Sequence, residues 1–236
     1  MSRIVGHVIA AVLAAIGAPS LLVAQQSAAR DTAPIHAEFM DPVVEVLGMP
    51  TLRRAAGAAG RREMRLWAEG GQAVTGQLLR LVEEGGKVTG ELAVYWSLDP
   101  SESGAYGGQL DAQMQAKWGC AKTAQKEVLR GGVVPLRVGA CVAQFRKAQD
   151  WAALLQQLQA LGAWTLPDHQ EAPGVQSDLE SEPGIVVEVQ QDGQYRTYHY
   201  PSVRSLQTDT ARKAAAILDV VNGVVAAADR GGGPPR

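Results

Sequence analysis

Two cysteines in 236 residues are too few to bind a structural zinc without help from the four histidines, and they lack the Cys-x-x-Cys spacing of a redox pair. The chain has no Gly-x-Ser-x-Gly, His-Glu-x-x-His, Ser-x-x-Lys, Walker loop, Gly-x-Gly-x-x-Gly or Cys-x-x-Cys-His. The usual signatures of hydrolases, zinc proteases, nucleotide binding and haem attachment are therefore missing. Charge of one sign is also lacking, with 22 Lys and Arg against 24 Asp and Glu for a net −2. No positive field is available to hold nucleic acid or anionic lipid. No internal repeat is found, and after Ala24 no apolar run approaches the length of a membrane span. No cofactor, metal site or catalytic residue is assigned.

What the chain does have begins at residue 3. Arg3 supplies a positive start, and from Ile4 to Ile16 the only strongly polar residue is His7. Gly17, Pro19 and Ser20 then break any helix before the small-residue site Leu22-Val23-Ala24. Residues 1–24 read as a cleavable signal peptide, with Gln25 opening the mature chain. Pro19 and the small residues near the end argue against an uncleaved anchor, and no cysteine follows for lipid attachment. The expected address is periplasmic or extracellular.

Residues 25–60 are expected to be poorly ordered, with a short helix at 41–52 entered through Asp41-Pro42. Arg53, Arg54, Arg61, Arg62 and Arg65 form a local basic cluster. Gly57 and Gly60 inside it favour a solvated linker or helix face over a phosphate site. Residues 97–108 and 168–184 are rich in Pro, Gly, Ser and acids and read as long surface loops. The tail 229–236, with Gly-Gly-Gly-Pro-Pro, is expected to be disordered.

The strands can be tested by writing out which residues face each other. A two-residue turn at Gly85-Gly86 sets Glu84 opposite Lys87, Arg80 opposite Glu91 and Leu79 opposite Leu92, which segregates apolar from charged side chains. A one-residue slip would reverse every side chain. Met64, Leu66 and Ala68 alternate with Glu63, Arg65 and Trp67, so a further strand joins the same sheet. A turn at Asp192-Gly193 sets Val187 opposite Tyr198, Ile185 opposite Tyr200, Val189 opposite Arg196, Glu188 opposite Thr197 and Val186 opposite His199. One face is apolar and aromatic, the other mixed and partly wet.

The same arithmetic applied to Cys120 and Cys141 centres a hairpin on Arg130-Gly131 and makes the cysteines facing partners, close enough to bridge. Closing that loop of about twenty residues is worth about 3 kcal/mol on the chain-entropy model. Pro135 lacks an amide donor, which places the return strand at an edge or a bulge.

Two amphipathic helices complete the pattern. Asp150 caps the first, in which Trp151, Leu154, Leu155, Leu158 and Leu161 share a stripe and Gly162 ends the run. The second spans about 208–228, with Ala214, Ile217, Leu218, Val221 and Val225 on one side, and is expected to dock on the second hairpin. Strands come in hairpins without strand–helix–strand alternation, which argues for an α+β fold. An antiparallel sheet built from hairpins, with two main helices packed on it, is expected in a single domain over 61–228.

Function is only ranked by such a sequence. The first reading is an exported, disulfide-stabilised, non-catalytic envelope protein that binds a protein, a glycan or a small apolar ligand. Trp67, Tyr95, Tyr195 and His199 form its candidate binding surface, because aromatic side chains bury large areas with little entropy loss. It implies one apolar concavity or patch and no cluster of shifted titratable groups. The alternative is a secreted hydrolase of unfamiliar type, using His199 with Glu188 or His169 with nearby acids. The run Asp168-His169-Gln170-Glu171, and the acids Asp99, Glu102 and Asp111, read as solvated loops in preference to metal sites.

Overall fold

The computed structural model describes residues 34–54, 59–69, 75–98, 105–120, 124–130, 134–145, 147–168, 184–201, 203 and 207–229. The expected signal peptide at 1–24, the tail beyond Asp229 and most of the expected 168–184 loop lie outside them. Among the described residues seven strands form one antiparallel sheet: β1 (Arg61–Glu69), β2 (Thr75–Glu84), β3 (Lys87–Leu98), β4 (Ala124–Arg130), β5 (Val134–Val142), β6 (Ile185–Gln191) and β7 (Gln194–Tyr200). Their order is β4-β5-β3-β2-β1-β6-β7. Four helices accompany them, α1 (Pro34–Val46), α2 (Ala105–Trp118), α3 (Trp151–Ala160) and α4 (Asp209–Asp229), with a 3-10 turn at Leu52–Arg54. The fold is α+β.

Two hairpins have the register that their side chains dictate. Glu84 faces Lys87, Arg80 faces Glu91 and Leu79 faces Leu92. Val187 faces Tyr198, Ile185 faces Tyr200 and Glu188 faces Thr197. Strand β1 joins the two, pairing with β2 on one side and β6 on the other. It is the fifth of the seven strands, with a neighbour on each side.

One sheet face carries Met64, Leu66, Leu79, Leu81, Leu92, Val94, Trp96, Val187, Tyr198 and Tyr200 in a large apolar core. Helices α2, α3 and α4 close it. Asp150 caps α3 by accepting from the amide of Ala153 at 3.0 Å, and Leu155 and Leu158 are buried. Helix α4 packs nearest to β1 and beside α2, with the aromatics of the second hairpin in the same core. Three close approaches need glycine: a Cβ at Gly139 would lie 2.4 Å from the Trp96 ring, one at Gly76 2.3 Å from the Tyr95 hydroxyl and one at Gly90 2.5 Å from the Trp151 ring.

The structure corrects the cysteine hairpin. Ala124 faces Ala140 and Arg130 faces Val134, so the strand pairing sits three positions away from the one that would oppose the cysteines. Cys120 precedes β4, just past the end of α2, where Gly119 adopts φ +63° and terminates the helix. Its disulfide to Cys141 spans a Cα separation of 5.9 Å and ties α2 to β5. The bond forms, but it links a helix end to a strand. Pro135 suggests an edge or a bulge for β5; of these the edge is taken by β4, with β5 between β4 and β3. Among the described residues the pairing of β5 with β3 runs from Arg137 to Val142.

Two further differences concern helices. Residues 105–108 belong to α2, not to a loop, and Leu110, Met114 and Trp118 carry its buried contacts. That stripe is one residue wide, and two glycines dilute it. The expected helix at 41–52 runs instead from Pro34 to Val46 and passes through Pro42. Met40, Val43 and Val44 are buried against Trp67, Leu78, Ala93, Tyr95, Val138, Ala140 and Val186. Helix α1 therefore covers one end of the second face of the sheet, and Trp67 and Tyr95 there are out of water.

Candidate functional site

Alternation along β1 sends Glu63, Arg65 and Trp67 to the face under α1, and the neighbouring strands add Arg80, Glu91, Glu188, Gln190, Tyr195, Thr197 and His199. Glu63, Arg65, Glu188, Gln190 and Thr197 are all buried there. Leaving such groups unpaired would cost several kcal/mol, so each hydrogen bond decides something.

Glu63 sits among three guanidinium groups. Arg61 Nη2 donates to it at 2.6 Å, Arg65 Nε at 2.8 Å and Arg80 Nε at 2.7 Å. Arg80 also donates to Glu91 at 2.7 Å. Burial pushes the Glu63 carboxyl up, but the hydrogen bonds and charges of Arg80 and Arg65 outweigh it and hold the group below the usual carboxylate range. Arg80 is pushed up by Glu63 and Glu91 against its own burial, so it stays charged.

Glu188 faces Arg65 across the β1–β6 pairing. It accepts from Trp67 Nε1 at 2.8 Å and from the Tyr195 hydroxyl at 3.0 Å. Burial raises its carboxyl above the usual range, with Asp41 of α1 adding to the rise, while Arg65, Trp67 and Tyr195 only partly offset it. Arg65 also donates to the carbonyl of Pro50 at 2.8 Å, and Gln190 to that of Leu52 at 3.3 Å. The buried polar side chains thus hold the N-terminal segment by its backbone.

All four candidate surface residues lie on this one face, in different settings. Trp67 and Tyr95 are 1% and 2% exposed and meet edge to face, their ring centroids 5.7 Å apart, beneath α1. Tyr195 and His199 are half-buried on β7. The His199 amide donates to Asp168 at 2.9 Å. His169 lies outside the described residues, as do Asp99 and Glu102. Asp111 binds Trp96 Nε1 at 2.9 Å and meets Gln125 and Arg137, which makes it a strut between α2 and the sheet.

Among the described residues no group of three or more His, Cys, Asp or Glu could hold a metal ion, and no helix is long and apolar enough to cross a membrane. A shallow depression of about 150 Å³ opens on the charged face beside Arg80, Val82, Thr89, Gly90 and Glu91. It is polar, where an apolar concavity was expected, and the expected lack of shifted titratable groups is overturned by Glu63 and Glu188. The signal for this cluster was present in the sequence as opposite charges at alternate positions of β1, but nothing there marked the segment through Pro50 and Leu52 as packing on them. No protein-family model, curated protein or solved structure matches the chain.

Proposed function

We propose that this is an exported, non-catalytic protein of the cell envelope that recognises a protein or a glycan. The observation that carries the reading is the Cys120–Cys141 disulfide, because cytosolic thiols are kept reduced and such bonds persist in exported proteins. The leader-like residues 1–24 agree with it. Recognition is assigned to the charged face at its half-buried rim, where Tyr195 and His199 present an aromatic ring and an imidazole beside polar backbone. The polar lining of the open depression favours a hydrophilic partner over a small apolar ligand.

Hydrolysis has less support. Glu188, the carboxylate envisaged to orient His199, has both oxygens engaged by Trp67 and Tyr195. Thiol counting on native protein from the envelope fraction tests the address: no reactive thiol is expected, and two would overturn it. Crosslinking in intact envelopes tests recognition. His199→Ala is expected to lose the crosslinked product while keeping the thermal midpoint, Tyr195→Ala to lose it with a lowered midpoint because Glu188 loses a donor, and retention of the product by both would reject this surface.

A further inference from the structure

Residues 34–54 form a cover with its own attachment to the sheet. Apolar contact from Met40, Val43, Val44 and Leu52 supplies part of the hold. The rest is polar, through Arg65 on the carbonyl of Pro50 and Gln190 on that of Leu52. Both donors are immediate neighbours of Glu188, Arg65 across the strands and Gln190 two residues along β6. Loosening the cover therefore wets Glu188.

We propose that docking of this N-terminal cover is proton-linked through Glu188, closing when its carboxyl is protonated and loosening when it ionises. The inference does not depend on any partner. The surroundings of Glu188 explain the direction. From β1 it faces Arg65, whose guanidinium is shared with Glu63. From β7 it meets the neutral Tyr195 hydroxyl, with His199 further along the same face. From the cover comes Asp41, itself paired with Arg53 of the 3-10 turn. A negative Glu188 thus has one shared cation, two neutral donors and a like charge on the element that would leave.

Burial holds the Glu188 proton more tightly in the closed form than in water. Closure consequently takes up a proton. The contribution is complete below the ordinary value of 4.5 and is lost as pH rises through the raised one. Glu63 works in the opposite sense, since its lowered carboxyl supports the fold above 4.5 and fails as pH falls through the lowered value. The cover should be held best between the two limits.

Hydrogen exchange on the purified protein tests this, comparing amides of residues 34–54 with those of the β2–β3 hairpin between about pH 5 and about pH 8, after correction for intrinsic rates. The opening constant of the cover is expected to grow by about tenfold for each pH unit over which Glu188 ionises only when open, with the hairpin unchanged. Glu188→Gln should flatten the response. Asp41→Asn, which leaves the sheet untouched, should reduce it. No rise in the native protein, an equal rise in Glu188→Gln, or a hairpin that opens in step with the cover would each overturn the proposal. If Glu188→Gln does not fold, an undiminished rise in Asp41→Asn does so.

Discussion

Glu63 and Glu188 stand on adjacent strands of one sheet face, both nearly out of water, yet their protons are pushed in opposite directions. Burial acts on both alike. What separates them is the number of cations each receives, three guanidinium groups at Glu63 against one shared Arg65 and two neutral donors at Glu188. A carboxylate among several charged donors stays ionised, while one supported mainly by neutral hydrogen bonds holds its proton longer. The first arrangement suits permanent structure and the second suits a response to pH.

The sharpest way to break the contrast is to remove the residue that the two carboxylates share. Arg65→Ala should cost about 4 kcal/mol in urea unfolding, because it strands Glu63 and Glu188 and frees the carbonyl of Pro50. A loss within that of an ordinary surface change would mean that Arg80 and Arg61 suffice. Glu63→Gln should cost about 3 kcal/mol near neutral pH, leaving its guanidinium partners short of counter-charge. That deficit should shrink in acid, since the native Glu63 contribution is itself lost as pH falls below 4.5.

Replacing both cysteines by serine tests a region remote from either carboxylate. The 21-residue separation implies a loss of about 3 kcal/mol on the loop-entropy model, with the pH dependence of stability unchanged. The smallest effect is expected from Glu188→Gln, within about 1 kcal/mol of native, because the amide escapes the burial of a charge but accepts well from only one of the two donors. Its standing relative to the native protein should improve as pH rises from 4.5, and a constant difference across the range would remove the distinction between the sites.

How far the sequence could be read follows from the range of each interaction. The turns at Gly85-Gly86 and Asp192-Gly193 fix their registers locally, since side-chain alternation on both flanks admits one pairing. Asp150 and the leucines of α3 mark a helix for the same reason. Helix α2 escaped because Leu110, Met114 and Trp118 form too thin a stripe among glycines and glutamines. The charged face was legible as alternation but not as burial. Whether Arg65 is wet depends on the segment through Pro50 that follows α1, and nothing local in β1 announces that contact.

By itself the sequence determined the α+β class, the membership of β1 in the sheet, the two tight hairpins and the pairing of its only cysteines. Tertiary structure decided which element each cysteine occupies, what covers the charged face and which buried carboxyl keeps its proton. Local alternation and turn geometry act over a few residues and are written in order along the chain. Burial and the fields of distant charges arise only once strands far apart in sequence lie side by side.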